Sequence, residues 1–368
     1  PLPIEWLSFL SPEKYNILNK LEFNGNFNSI SWSPVNSYFS LLNYLSIFLY
    51  LIIFKSLFYR NKDIFRFYYF LVFLGAFAAS VAIYFYLIGN PDFLILKNRS
   101  SVTSATGFFI NRTVFSCFLV LCFSCGIEYL KMIDYYQKNN TNNFFNKIYV
   151  RIFILLTTIG IITTFSRLGN FLFISLILIY ISQALYLNDK KNRLFLITLI
   201  LIVLFDVLIL GFYFGSEKLL QRYSFLQNEI NEYLPNLGEV SLSRGDLAKF
   251  AFIEFKKFIF FGYGGGGFEN VLKINYQNLS INYASHAHSD LIEFFGEFGL
   301  IGFALIASSL FFSSANKNFF SFKNFLLCYL LILILFFDFS FHIPIIQFLF
   351  ILLLGINYER SDNSEYKF

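Results

Sequence analysis

Long apolar runs that carry few or no charges constrain this chain more than any other feature. A helix needs about 20 mostly apolar residues to cross a bilayer. Nine runs qualify, at roughly 38–58, 67–89, 106–130, 148–165, 168–187, 194–215, 290–312, 324–341 and 343–358. Composition agrees: 57% of the 368 residues are hydrophobic, 22% aromatic and 14% charged, whereas a soluble domain carries about 25% charge. The expected fold class is all-α: a polytopic transmembrane helical bundle of about nine spans with one large periplasmic loop containing short helices. The chain opens Pro1-Leu2-Pro3 without Met, and we expect it to be N-terminally truncated, with some leading helices missing.

Lys and Arg set the orientation. Fifteen of the 28 fall on one side: Lys55, Arg60, Lys62 and Arg66; Lys131, Lys138, Lys147 and Arg151; Lys190, Lys191 and Arg193; Lys317 and Lys323; Arg360 and Lys367. The short opposite connections hold few, Lys97 and Arg99 in one and Arg167 in another. By the positive-inside rule the rich side is cytoplasmic. The expected divisions are an N-terminal transmembrane bundle over 1–215, an outward loop over 216–287, and a C-terminal three-helix transmembrane segment with a short cytoplasmic tail over 288–368. The net charge of +5 comes from residues scattered between apolar runs. It builds no basic face, which excludes nucleic acid as a partner. The cysteines Cys117, Cys122, Cys125 and Cys328 sit inside apolar segments and read as packing residues.

The loop holds seven basic and seven acidic residues, so it is balanced. Ser243-Arg244-Gly245-Asp246 has the form of a helix start, and Leu247, Phe250, Ala251, Glu254, Phe255 and Phe258 follow at helical spacing. This predicts an amphipathic helix at about 244–260, lying near the membrane surface. Gly262-Tyr263-Gly264-Gly265-Gly266-Gly267 then stops any helix. The run reads first as a flexible hinge; the functional alternative is a turn whose bare amides meet a phosphate, with Gly264 as a binding position. No Gly-Lys-Ser/Thr follows, so it is not a nucleotide P-loop.

After the loop, Ser285-His286-Ala287-His288-Ser289-Asp290 leads into an apolar run that carries Glu293 and Glu297. Two of the three histidines thus stand at the mouth of a spanning helix. Asp290 to Glu297 descends about 10 Å at about 1.5 Å per residue, and Glu293 and Glu297 share one helix face. Carboxylates in hydrocarbon are expensive, so that face should line protein or water. His-x-His also suits a metal, but no third ligand stands nearby in the sequence, and none is expected. Arg112, Arg167 and Arg244 are candidates for phosphate, because a guanidinium stays charged and binds it through two hydrogen bonds.

His288-Ser289, nine residues, Gly299, two residues and Gly302 resemble the His-[Asn/Ser/Gln]-x9-Gly-x2-Gly signature of the bacterial O-antigen ligase family, which is related to O-antigen polymerases and O-linked protein oligosaccharyltransferases. Ser289 stands where Asn is common. Thr164-Phe165-Ser166-Arg167 is similar to the family's Ser-Arg at a membrane boundary, and Arg244 followed by Gly262-Tyr263-Gly264 resembles its loop Arg with a later Gly-x-Gly. Gly107 to Asn111 looks like its Gly-x-x-x-Asn, with Arg112 a departure. Asp338 to Pro344 resembles the Asp and Pro before its last helix.

The resemblance implies transfer of a glycan from undecaprenyl diphosphate to an acceptor hydroxyl, on lipid A core or on a growing glycan. The reaction takes place among membrane lipids on the outer face of the bacterial inner membrane, without metal or other cofactor. It implies His288 as general base, Arg244 and Arg167 on the diphosphate, and His286, Asp290, Glu293, Arg112 and Gly264 as supporting or binding positions. Ligase, polymerase and protein glycosylation share this donor chemistry. A transporter is the rival class, with Asp206, Asp338 and Glu297 marking an ion path. The orientation is checked by reporter fusions: alkaline phosphatase joined after residue 240 should be active and after residue 192 inactive, and the reverse pattern would invert the topology.

Overall fold

A computed structural model describes residues 1–57, 60–91, 104–136, 142–187, 197, 200–201, 244–276, 284–314 and 321–356. The expected span at 194–215 and the loop up to residue 243 lie largely outside the described residues. Among the described residues the fold is all-α apart from one antiparallel pair of two-residue strands, β1 (Leu2–Pro3) and β2 (Phe27–Asn28). The chain divides into two compact units, Pro1–Ile53 with Glu232–Phe348, and Phe54–Asn231 with Leu349–Phe368.

Among the described residues, five helices are long and apolar enough to cross a membrane: Pro34–Phe54, Asn61–Leu87, Arg112–Ile133, Phe144–Thr163 and Arg167–Tyr186. They answer to the first five expected spans. The two final spans appear as the shorter apolar helices Phe322–Phe337 and Pro344–Gly355.

In the second unit, four helices pack together: α4 (Asn61–Leu87), α5 (Arg112–Tyr136), α6 (Asn142–Thr163) and α7 (Arg167–Leu187). Lipid offers no hydrophobic drive to bring helices together, so close packing through small residues does the work. A Cβ added to Gly75 would stand 2.5 Å from Cys122 Cβ, one on Gly126 2.7 Å from Ile154 Cγ1, and one on Gly160 2.6 Å from Ala79 Cβ. Cys117, Cys122 and Cys125 are buried, as their packing reading requires. The polar pair to this apolar core is Glu128, which is buried and accepts from Tyr180 Oη at 3.0 Å and from Lys131 Nζ at 3.1 Å.

The third span differs from expectation at its start. The apolar run begins near residue 106, but the helix begins at Arg112, where Asn111 Oδ1 accepts from the Thr113 amide at 2.7 Å. Before it, Gly107 has φ 56°, and the Ala105 amide donates to Thr163 O at 2.9 Å. Hydropathy does not distinguish a helix from irregular backbone whose polar groups are satisfied inside protein.

The first unit is built on its N-terminal segment. There α1 (Ile4–Leu10) and α2 (Pro12–Lys20) precede α3 (Pro34–Leu57), and Lys14 Nζ donates to Ser29 O and Ser31 O at 2.8 and 2.6 Å. Its later elements are α8 (Arg244–Lys257), α9 (Phe268–Asn275), α10 (Asp290–Ser314), α11 (Phe322–Phe337), a 3-10 turn at Ser340–His342, and the start of α12 (Pro344–Gly355), which passes into the second unit at Leu349. The expected amphipathic helix is present as α8. It buries Leu247, Phe250 and Ala251 in a cluster with Phe258, Tyr263, Phe268, Val271, Leu272 and Ala287, while Phe252 and Ile253 on its other side are about half exposed. Buried Glu254 accepts from Lys257 Nζ and Asn275 Nδ2 at 2.7 and 2.8 Å, which joins α8 to the end of α9.

Substituting Gly160→Val should cost about 1–3 kcal/mol by overpacking α4 against α6. The measurement is the thermal midpoint of the detergent-purified protein, and an unchanged midpoint would contradict this close approach.

Candidate functional site

The site rests on a break in α10. At Gly299 the backbone has φ 63° and ψ −175°, a region essentially restricted to glycine. A Cβ there would also stand 2.3 Å from Phe260 O. The break leaves helical amides and carbonyls without their usual partners, and the chain after α8 supplies them. Leu300 N donates to Ile259 O at 2.7 Å and Ile301 N to Phe260 O at 3.2 Å; in return Tyr263 N donates to Gly296 O at 2.9 Å and Gly264 N to Glu297 O at 3.0 Å. The expected single span at 290–312 is therefore a broken helix, because a second backbone segment is laid against it.

This pairing settles the state of the glycine run. The Gly266 amide donates to Glu297 Oε1 at 2.6 Å, and the carbonyls of Gly265 and Gly266 accept from Ser37 Oγ at 2.9 Å and Asn36 Nδ2 at 3.0 Å. Gly262, Gly264 and Gly266 all have positive φ, and a Cβ on Gly262 would stand 2.2 Å from Glu297 O. The glycines are needed for close approach to α10 and to the start of α3. The run is a docked turn where a hinge was expected, and the Gly264 amide that a phosphate would use is already donated to Glu297.

The same helix gathers the titratable residues. Glu293 is buried and its carboxylate holds the preceding loop at two points, through His286 Nδ1 at 3.0 Å and the Ala287 amide at 2.7 Å. Asp290 is fully buried: Oδ2 accepts from the Phe341 amide at 2.7 Å, Oδ1 meets His342 Nδ1, and its own amide donates to Asp338 O at 3.0 Å. Buried Asp338 accepts from Ser340 Oγ. All three histidines of the chain lie in this unit, grouped around the turn after α11. The His286 ring stacks on Phe339 with centroids 4.8 Å apart, His288 meets Phe339 edge-on at 5.1 Å, and His342 lies 5.2 Å from His286. Phe294 stacks on His342 at 4.4 Å.

His342 is the residue that sequence reasoning missed. Its Nε2 stands 3.6 Å from both Glu293 Oε1 and Glu297 Oε2. Burial alone would lower its pKa, but the Glu293 charge, the hydrogen bond to Asp290 and the nearby Glu297 carboxylate outweigh it, and the imidazole is held well above its ordinary value. The three carboxylates thus favour positive charge between them. The available signal was His342 within the Asp338 to Pro344 segment, whose Asp and Pro alone were weighed.

His288 is partly exposed and has φ 56°. A non-glycine residue in that region costs about 1 kcal/mol or more and persists where surrounding contacts over-determine it. Those contacts are on either side: Ala287 N is fixed to Glu293, and Asp290 to Asp338 and Phe341. The structure therefore brings together His286, His288, Asp290 and Glu293. Arg112 and Arg167 belong to the other unit, each the first residue of a helix. For Arg167 the start is set by Ser166, whose Oγ accepts from Gly169 N at 3.2 Å. Arg244 opens α8, but its side chain lies outside the described residues.

Residues 152–307 match the sequence model of a family described as O-Antigen ligase. The match takes in Arg167, Arg244, Gly262 to Gly267 and the His288 to Gly302 signature, and it bears out the resemblance drawn from those residues. No curated protein and no solved structure matches the chain.

Gly299→Ala should sharply reduce the yield of folded protein, since it forces a side chain into a left-handed position against Phe260 O. Recovery of monodisperse protein by size-exclusion chromatography tests this, and wild-type yield would contradict the break as drawn.

Proposed function

We propose, from the membership of residues 152–307 in the O-antigen ligase family, that the protein is a glycosyltransferase of the inner membrane. It moves a glycan from undecaprenyl diphosphate to an acceptor hydroxyl of lipid A core on the periplasmic face, with inversion at the anomeric carbon. O-antigen polymerisation and O-linked protein glycosylation are the alternatives with the same donor. The observation that carries the reading is His288, a partly exposed imidazole on a backbone held in a strained conformation by the contacts of Glu293 and Asp290.

The chemistry asks for two things. The acceptor oxygen must lose its proton as it attacks, and the diphosphate must take up the electron pair of the breaking bond. His288 fits the first task, because imidazole titrates near neutral pH and both accepts and returns a proton. The acceptor oxygen bonds to the anomeric carbon from the face opposite the diphosphate, the sugar to phosphate bond breaks, and the proton passes to His288 and then to solvent. Arg244 and Arg167 are assigned to the diphosphate, where fixed positive charge stabilises the departing group. Arg112 is a further phosphate candidate. His286, Asp290 and Glu293 hold the His288 loop.

The test is a gene deletion in the host complemented with the full-length form and its variants. Lipopolysaccharide banding is read beside the undecaprenyl-linked glycans. Core lipid without O-antigen, with long lipid-linked glycan accumulating, is the expected result for a ligase. Core carrying one repeat would assign a polymerase, and normal banding in the deletion would overturn both. His288→Ala should lower transfer by about 10²- to 10⁴-fold, and full complementation by it would remove His288 from the mechanism.

A further inference from the structure

We propose that His286, Glu293 and His342, with Glu297 beside them, form a binding site for one divalent transition-metal ion, zinc by preference. The ion ties the loop that carries His288 to α10 and to the turn before α12. The sequence offered two histidines and no third ligand; the fold supplies it from His342, far along the chain. The three residues each offer a donor atom, all within 4.8 Å of one another.

At His342 Nε2 the separations are wider than a hydrogen bond. His342 Nε2 is buried with no hydrogen-bond partner, and its distances to Glu293 Oε1 and Glu297 Oε2 are both 3.6 Å. A shared proton would draw nitrogen and oxygen to about 2.7–2.9 Å. Zinc bonds of about 2.0–2.1 Å set tetrahedral donors about 3.3–3.4 Å apart; the 3.6 Å separations lie nearer that spacing than a hydrogen bond's, and His286 Nδ1 is 3.0 Å from Glu293 Oε1.

The partner of the other imidazole nitrogen points the same way. A metal-bound histidine commonly donates its second N–H to a carboxylate, which fixes the tautomer and aims the free lone pair. Asp290 does this at His342 Nδ1, and is itself held by the Phe341 amide. Two imidazoles with one or two carboxylates suit zinc and its transition-metal neighbours, while Mg²⁺ and Ca²⁺ prefer sites made of oxygen. The site is stated for binding and stands independently of the transfer reaction.

The experiment uses the full chain in lipid nanodiscs, stripped with a chelator and titrated with Co²⁺, whose visible absorption reports tetrahedral coordination, then with Zn²⁺ in competition. One ion per chain is expected. His286→Gln and His342→Ala should each weaken binding at least tenfold, Asp290→Asn by roughly 10- to 100-fold, and the exposed control Glu269→Gln should leave it unchanged. A thermal melt of each variant shows that it is folded, and His286→Gln, at a partly exposed position, serves if His342→Ala is not. Absence of saturable binding, or equal binding in the wild type and both histidine variants, overturns the proposal.

Discussion

Everything in the first unit depends on how a broken helix satisfies its backbone. An unpaired amide or carbonyl in an apolar setting costs several kcal/mol, about what one folded domain has to spare. Gly299 opens α10, and residues 259–264 close it again through four backbone hydrogen bonds, two in each direction. Because that exchange requires two backbones to touch, glycine is demanded on both sides: at Gly299 by Phe260 O, and at Gly262 by Glu297 O. A signature glycine and a glycine run that look unrelated in sequence are two halves of one contact.

The pairing also determines which charges can be buried. Glu297 reaches the Gly266 amide only because the glycine turn is docked beside it, and Glu293 reaches Ala287 N and His286 because the loop before α10 folds back over its first turn. Buried carboxylates are tolerated where hydrogen bonds and opposite charge meet them. Here the answering groups are backbone amides and imidazoles, and they come from segments on both sides of α10. The result is a hydrogen-bonded cluster next to His288, whose backbone is strained and whose ring is partly exposed.

The family match ends at residue 307, yet Phe339, Phe341 and His342 complete the cluster that the matched segment begins. The turn after α11 is thus as much part of the site as the signature. It brings the aromatic ring on which His286 stacks and the imidazole that faces three carboxylates. Arg167 follows a capped turn at the start of α7 in the second unit, and Arg244 opens α8 in the first.

The sequence by itself determined the fold class, the first five spans, the face of α8 and the His288 segment, because apolar runs, helical spacing and short motifs are local properties of the chain. It also placed Glu293 and Glu297 on one helix face. It read α10 as one span, started α5 several residues early and took the glycine run for a hinge, because each of these turns on where backbone hydrogen bonds find partners across large sequence separations. His342 went unnoticed for the same reason. The Asp338 to Pro344 segment marks its place in the chain, but only packing of the turn against α10 puts its imidazole among Asp290, Glu293 and Glu297, where burial and the field of three carboxylates decide what it can hold.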